Sequence, residues 1–145
     1  MLAGKKIPYN TDQWDGYPKE REKFFEIIKN SQSNLILAGD SHNSWISNLR
    51  DNNDKFVGVE IGAPSISSPN FADTFGEMTT EIDKSFVESN EDLVWTNGIN
   101  KGYVELEVSF NFVDVHFHYV STVKSQKYEK LQTKSFRVNH AQPLA

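Results

Sequence analysis

Hydrophobic side chains recur along this chain in three rhythms, and each rhythm predicts a different element. Phe24, Phe25, Ile27 and Ile28 fall at i, i+1, i+3 and i+4, the stripe of an amphipathic helix. Pro18 suits the first turn of that helix, where its missing N–H costs nothing, and Glu20 and Glu22 sit near the positive end. The spacing predicts a helix over 18–30, broken by Ser31-Gln32-Ser33. Met78, Ile82 and Phe86, at i, i+4 and i+8, predict a second helix over 77–89.

The second rhythm has period two. Val104, Leu106 and Val108 alternate with Tyr103, Glu105 and Glu107; Val113, Val115, Phe117 and Tyr119 alternate with Asp114, His116 and His118. With Asn111 near the connection, the pair predicts an antiparallel hairpin with one buried face. The third rhythm is continuous: NLILA, residues 34–38, predicts a short strand buried on both faces. Segments 45–49 and 56–61 flank the turn-rich Asp51-Asn52-Asn53-Asp54 and predict another hairpin, and a last short strand is expected at 135–139. Residues 1–17 carry no period and are expected to form an ordered loop; residues 63–70 read as a Ser/Pro loop. No repeat, low-complexity tract or linker divides the chain, so one mixed α/β domain is expected over residues 1–145.

Composition removes several functions. The chain has no cysteine, which excludes disulfides, cysteine-ligated zinc and a thiol nucleophile from these residues. A net charge of −5 argues against a nucleic-acid footprint, which needs clustered Lys and Arg. No apolar run approaches the roughly 18–20 residues of a membrane span, and MLAGKKIPYN shows no signal-peptide apolar core.

Three clusters could carry chemistry. Gly39-Asp40-Ser41-His42-Asn43 follows the apolar strand directly, at the carboxyl end where ligand groups collect in open α/β sheets. Asp40 offers hard oxygens and His42 an imidazole nitrogen, a mixed set suited to Mn, Fe or Zn, with the carboxylate also suited to Ca or Mg. Gly39 is expected to let the backbone turn so that both side chains enter one crevice. The alternative is a turn in which Asp40 caps neighbouring amides and His42 is merely polar. Trp14-Asp15-Gly16-Tyr17-Pro18 is the second cluster: Asp15 is a candidate metal ligand or an acceptor for His42, or simply a helix cap beside packing aromatics. Asp114, His116 and His118 share one strand face, but the face opposite the apolar one, which reads as the solvent side of a half-buried hairpin.

These residues resemble a known family. Pro8-Tyr9-Asn10, then Asp12-Gln13-Trp14-Asp15-Gly16-Tyr17-Pro18 and Arg21, is similar to a segment of the PhoD-like alkaline phosphatases. Gly39-Asp40-Ser41-His42-Asn43-Ser44-Trp45 resembles the family's next landmark, and Val57-Gly58-Val59-Glu60 with Ala63-Pro64-Ser65-Ile66-Ser67-Ser68-Pro69 resembles the one after. Gly102-Tyr103, opening a strand pair that ends near Thr122-Val123, also fits. The resemblance implies the C-terminal half of a calcineurin-like metallophosphatase sandwich: mixed β-sheet, flanking helices and a terminal antiparallel hairpin. It implies calcium- and iron-dependent hydrolysis of phosphomonoesters and phosphodiesters, with other divalent metals as substitutes. By analogy with the superfamily's Gly-His-x-His motif, Asp40 would face calcium and His42 iron. Asp15 would be a calcium ligand or a group behind one, and Asn43 would bind substrate or orient His42.

The departures are equally specific. The family's Gly-Asp-x-x-Asp and Gly-Asn-His-Asp motifs do not occur, nor does its iron-ligating cysteine. The chain is therefore expected to be the later part of a longer phosphatase, supplying the second half of a metal site, with an exposed apolar patch and with export implied by the family. The competing expectation is a non-catalytic, β-rich interaction module.

Overall fold

The computed structural model describes residues 12–31 and 33–144. Residues 1–11, most of the segment expected to be a loop, lie outside the described residues. A 3-10 turn at Trp14–Gly16 leads into α1 (Pro18–Ile28), as the apolar stripe predicts. The strands are β1 (Leu35–Ala38), β2 (Ser44–Arg50), β3 (Phe56–Gly62), β4 (Leu93–Asn97), β5 (Lys101–Val108), β6 (Phe112–Val120) and β7 (Lys134–Asn139). Between β3 and β4 run α2 (Phe71–Phe75), a 3-10 turn at Gly76–Met78 and α3 (Thr79–Ser89).

The strands form two sheets. One is mixed and four-stranded in the order β1-β3-β2-β4, with β1 parallel to β3 and the remaining pairs antiparallel. The other is antiparallel in the order β5-β6-β7. Both predicted hairpins form. In the β2–β3 connection the Asp51 carboxylate accepts the N–H groups of Asn53 and Lys55, which closes the turn. In β6 the alternation holds: Val115, Phe117 and Tyr119 are buried, opposite Leu106, Val104 and Gly102 of β5.

The sheets meet face to face. Ile46, Val59 and Ile61 from the first pack against Val115, Phe117, Tyr119 and Val138 from the second. Trp95 closes the seam, its ring centroid 4.9 Å from Phe117 and 5.4 Å from Phe136. A polar stitch crosses the same seam, where Ser44 Oγ lies 2.7 Å from Tyr119 Oη. Asn48 ties down the tail: its amide donates to Leu144 O at 3.0 Å and accepts from Leu144 N–H at 2.9 Å.

Three expectations change. β1 is not buried on both faces: among the described residues it is an edge strand, and although Leu35 packs on the core, Leu37 is 63% exposed. The second helix starts at Thr79, because residues 71–78 already form a separate capped turn of helix and a 3-10 turn. Of its apolar stripe, Phe86 packs at 5.8 Å from Trp45, while Met78 is exposed along an open apolar groove of about 590 Å³. β4 has no counterpart among the predicted strands.

Asp83 of α3 holds the β4–β5 connection, its Oδ2 accepting Gly98 N–H at 2.8 Å. Its Oδ1 is buried without a partner among the described residues, and burial pushes the carboxyl up from its ordinary 3.8. A folded-state value above the unfolded one means that stability from this group is complete below pH 3.8 and is lost as pH rises through the raised value. Asp83→Asn is therefore expected to raise the urea midpoint at about pH 8, with the gain shrinking as pH falls toward 3.8. Equal midpoints of parent and variant at both pH values would contradict this account of Asp83.

Candidate functional site

β1 ends at Ala38 and β2 begins at Ser44, so residues 39–43 must reverse the chain in five steps. The reversal is made at Asp40 and His42, with φ of 65° and 62°, and not at Gly39, whose φ is not positive and whose Cβ position is open space. The expected role of Gly39 as the sharp turn is thereby corrected. Ser41 N–H bonds Gly39 O at 2.7 Å, winding a three-residue turn around Asp40, the rare strained hand of the γ-turn. Left-handed backbone at non-glycine residues costs on the order of 1–3 kcal/mol each and concentrates at functional sites.

The surroundings supply what holds the strain. Trp45 Nε1 donates to Ser41 Oγ at 2.7 Å, and the same indole packs edge-on against Phe71 and Phe86. Asn43, 1% exposed, uses both ends of its amide on backbone: Nδ2 donates to Ser41 O at 2.8 Å and Oδ1 accepts Phe71 N–H at 3.1 Å. It locks the turn to the start of α2.

His42 Nδ1 lies 2.7 Å from Pro69 O. A carbonyl only accepts, so Nδ1 carries the proton, and the lone pair of the neutral ring is on Nε2. No described group bonds Nε2. Asp40 is exposed and makes no hydrogen bond or ion pair among the described residues, so it does not cap the neighbouring amides. Asp40 and His42 line one open recess of about 270 Å³ with residues 63–68 of the β3–α2 loop. The loop is fixed in turn: Ser65 N–H bonds His42 O at 3.2 Å, and Gly102 N–H bonds Ser65 O at 3.0 Å.

The donors in this recess fit a cation: a carboxylate without a partner among the described residues, beside an imidazole whose other nitrogen is anchored on a carbonyl, as ligating histidines are. They do not form a complete shell, because among the described residues no three His, Asp or Glu side chains converge. The Asp15 side chain lies outside the described residues; the neighbouring Trp14 ring stacks on Phe24 at 5.7 Å. The outer face of β6 is occupied by cross-strand pairing. Asp114 pairs with Arg137 at 2.6 Å, His116 Nδ1 meets Ser135 Oγ at 2.8 Å, and His118 bonds Glu105 at 2.8 Å and Thr133 at 3.1 Å. The Arg137 guanidinium holds the Asp114 carboxyl below its ordinary value.

No residue pattern marks Pro69 O as the partner of His42, since any residue brings a carbonyl. The spacing Asn70-x-x-Asp73 could have announced the cap that follows it.

Comparison with known proteins agrees with the family resemblance. Residues 2–117 match the family model described as PhoD-like phosphatase. Alkaline phosphatase D of Bacillus subtilis (strain 168) is 41% identical over 66 residues, covering 41% of this chain and 11% of that protein. A solved structure described as "Structure of PhoD" superposes with a TM-score of 0.72 at 27% identity, over 89% of this chain and 25% of its own length. The chain thus spans a small part of both relatives.

Asn43 and Asp40 should respond in opposite ways. Asn43→Ala strands Phe71 N–H and Ser41 O and is expected to cost about 1–3 kcal/mol in urea unfolding. Asp40→Gly relieves the left-handed backbone and is expected to leave stability unchanged or raise it by up to about 1 kcal/mol.

Proposed function

Because this chain belongs to the PhoD-like phosphatase family, we propose that it serves metal-dependent phosphoester hydrolysis by supplying Asp40 and His42 to a metal site. Further ligands of that site come from outside the described residues. The observation that carries the reading is the state of the two side chains that line the same recess: Asp40 has no partner among the described residues, and the His42 Nδ1–Pro69 O bond leaves the Nε2 lone pair for a metal.

The chemistry of each residue follows. Asp40 presents hard carboxylate oxygens, the donor that calcium takes, and His42 presents a neutral imidazole nitrogen, which suits iron. Other divalent cations compete for the same pair. A bound metal supplies Lewis acidity toward a phosphoryl oxygen and lowers the pKa of a coordinated water. The open recess admits a phosphomonoester or phosphodiester beside both donors. Of the two roles considered for Asn43, its burial favours orienting His42 over touching substrate. Asp15 remains a candidate ligand on the strength of the resemblance alone.

The alternative, a non-catalytic interaction module, is separated by one assay. Hydrolysis of p-nitrophenyl phosphate is followed with calcium and iron supplied, for the chain alone and mixed with the preceding part of a PhoD-like phosphatase. Turnover is expected in the mixture and not from the chain alone. Asp40→Ala or His42→Ala is expected to lower the restored rate by about 100-fold. Undiminished activity in both variants would remove these residues from the site, and no restoration at all would favour the module.

A further inference from the structure

We infer that Asp73 is a positioning residue for His42, acting through the peptide group between Pro69 and Asn70. The inference rests on the reading of His42 Nε2 as the nitrogen offered to the metal.

The geometry is a chain of bonds through one peptide plane. The carbonyl of that plane, Pro69 O, accepts from His42 Nδ1–H at 2.7 Å. Its N–H, on Asn70, donates to Asp73 Oδ2 at 3.0 Å. Lys101 Nζ then donates to the same Asp73 oxygen at 2.6 Å and to Ser68 O at 2.5 Å. Ser65 Oγ also donates to Ser68 O, at 2.7 Å. Two consecutive loop carbonyls are thus fixed, one by a lysine and a serine, the other by the histidine.

An anion on the N–H side of an amide draws the peptide dipole toward itself and raises negative charge on the carbonyl oxygen. Hydrogen bonds in series strengthen one another in this way, and those with an ionised member are about twice as strong as neutral ones. Ligating histidines generally donate their second ring N–H either to a carboxylate or to a backbone carbonyl. Here the two partners stand in line, so the charge of Asp73 reaches the ring through the peptide group and not by direct contact. The Asp73 carboxyl is held below its ordinary value, by Lys101 first and the Asn70 amide next, so the required anion is present. Lys101 is 14% exposed at its side chain, which keeps the partner of Asp73 from wandering.

A helix cap alone explains less. Asp73 and Asn70 do cap α2 reciprocally, with Asn70 Oδ1 accepting Asp73 N–H at 3.3 Å. That cap involves neither the Lys101 contact with Ser68 O nor the use of the Pro69 carbonyl by a histidine 27 residues away in the β1–β2 turn.

The test is the tautomer of His42, read by nitrogen NMR of the imidazoles in this chain at about pH 8.5, about two units above the ordinary imidazole value. The His42 signals are identified by their loss in His42→Gln. The unaltered chain is expected to hold His42 as the Nδ1–H form. Asp73→Asn keeps an oxygen acceptor and the cap but removes the charge; the ratio of Nδ1–H to Nε2–H forms is expected to fall about threefold. Asp73→Ala should lower it about tenfold, and should that variant fail to fold, Asp73→Asn decides alone. Unchanged amide signals of Val59 and Phe117 report an intact core. An unchanged tautomer ratio with that core intact overturns the inference. Adding Zn²⁺ to the chain mixed with the preceding part of a PhoD-like phosphatase tests the underlying reading separately: a tautomer that depends on Asp73 while His42 ignores the metal keeps the positioning role and removes His42 from the metal centre.

Discussion

The register of β2 is the constraint on which the rest of the molecule depends. Ser44, Ile46 and Asn48 alternate on its buried side, and each makes a different long-range commitment. Ser44 meets the Tyr119 hydroxyl of the opposite sheet, Ile46 enters the shared core, and Asn48 binds Leu144 in the tail. A slip of one residue would turn all three outward and bring Trp45, Ser47 and Leu49 in, losing two buried hydrogen-bonding sets together with the core contact. The polar members make this strand specific as well as buried: an isoleucine can repack, but a hydroxyl facing a buried tyrosine must find it or pay for a stranded donor.

β2 also begins immediately after the strained turn, so its register aims the site. With Ser44 fixed from the second sheet, Asn43 must point into the interior, where it finds Ser41 O and Phe71 N–H. The two positive-φ residues on either side of Ser41 then have little choice. They are held by Asn43 below, by Trp45 on Ser41 Oγ, and by Pro69 O on the His42 ring. Strain of this size persists only where neighbours over-determine it. The restraints come from β2, α2 and the β3–α2 loop, and the last of these is clamped by Lys101 and Gly102 at the start of the second sheet. The turn therefore senses how well both sheets are assembled.

How much of this the residues announce depends on whether an interaction is local. β6 was legible because its neighbours in sequence carry the alternation, and the β2–β3 turn because Asp51 bonds amides two and four residues on. Asp40 and His42 were legible as donors from their types and place after β1. β4 was not, since Leu93 to Asn97 is short and is defined by pairing with β2, including a register shift beside Ser47. β1 looks like a central strand because its composition is apolar throughout, yet only β3 lies beside it among the described strands. Gly39 drew the turn prediction through its freedom, while the backbone spends positive φ on an aspartate and a histidine. The carbonyl that fixes His42, Pro69 O, leaves no trace in residue identity, nor does the neighbouring Ser68 carbonyl that Lys101 reaches from the start of the second sheet.

The comparison among histidines shows what selects a site here. His118 has both ring nitrogens bonded, to Glu105 and Thr133, and stacks on Tyr103 at 4.9 Å. His116 is tied to Ser135 through Nδ1 and faces Glu107 with Nε2 at 3.9 Å. Their chemistry is already spent on joining β5, β6 and β7. His42 uses one nitrogen to hold its own orientation and has no described partner for the other, beside a carboxylate that also has none. Residue type puts these three of the chain's four histidines on an equal footing with respect to metal. What separates them is unsatisfied bonding capacity held in a fixed direction, and the backbone strain at Asp40 and His42 is the cost of fixing it.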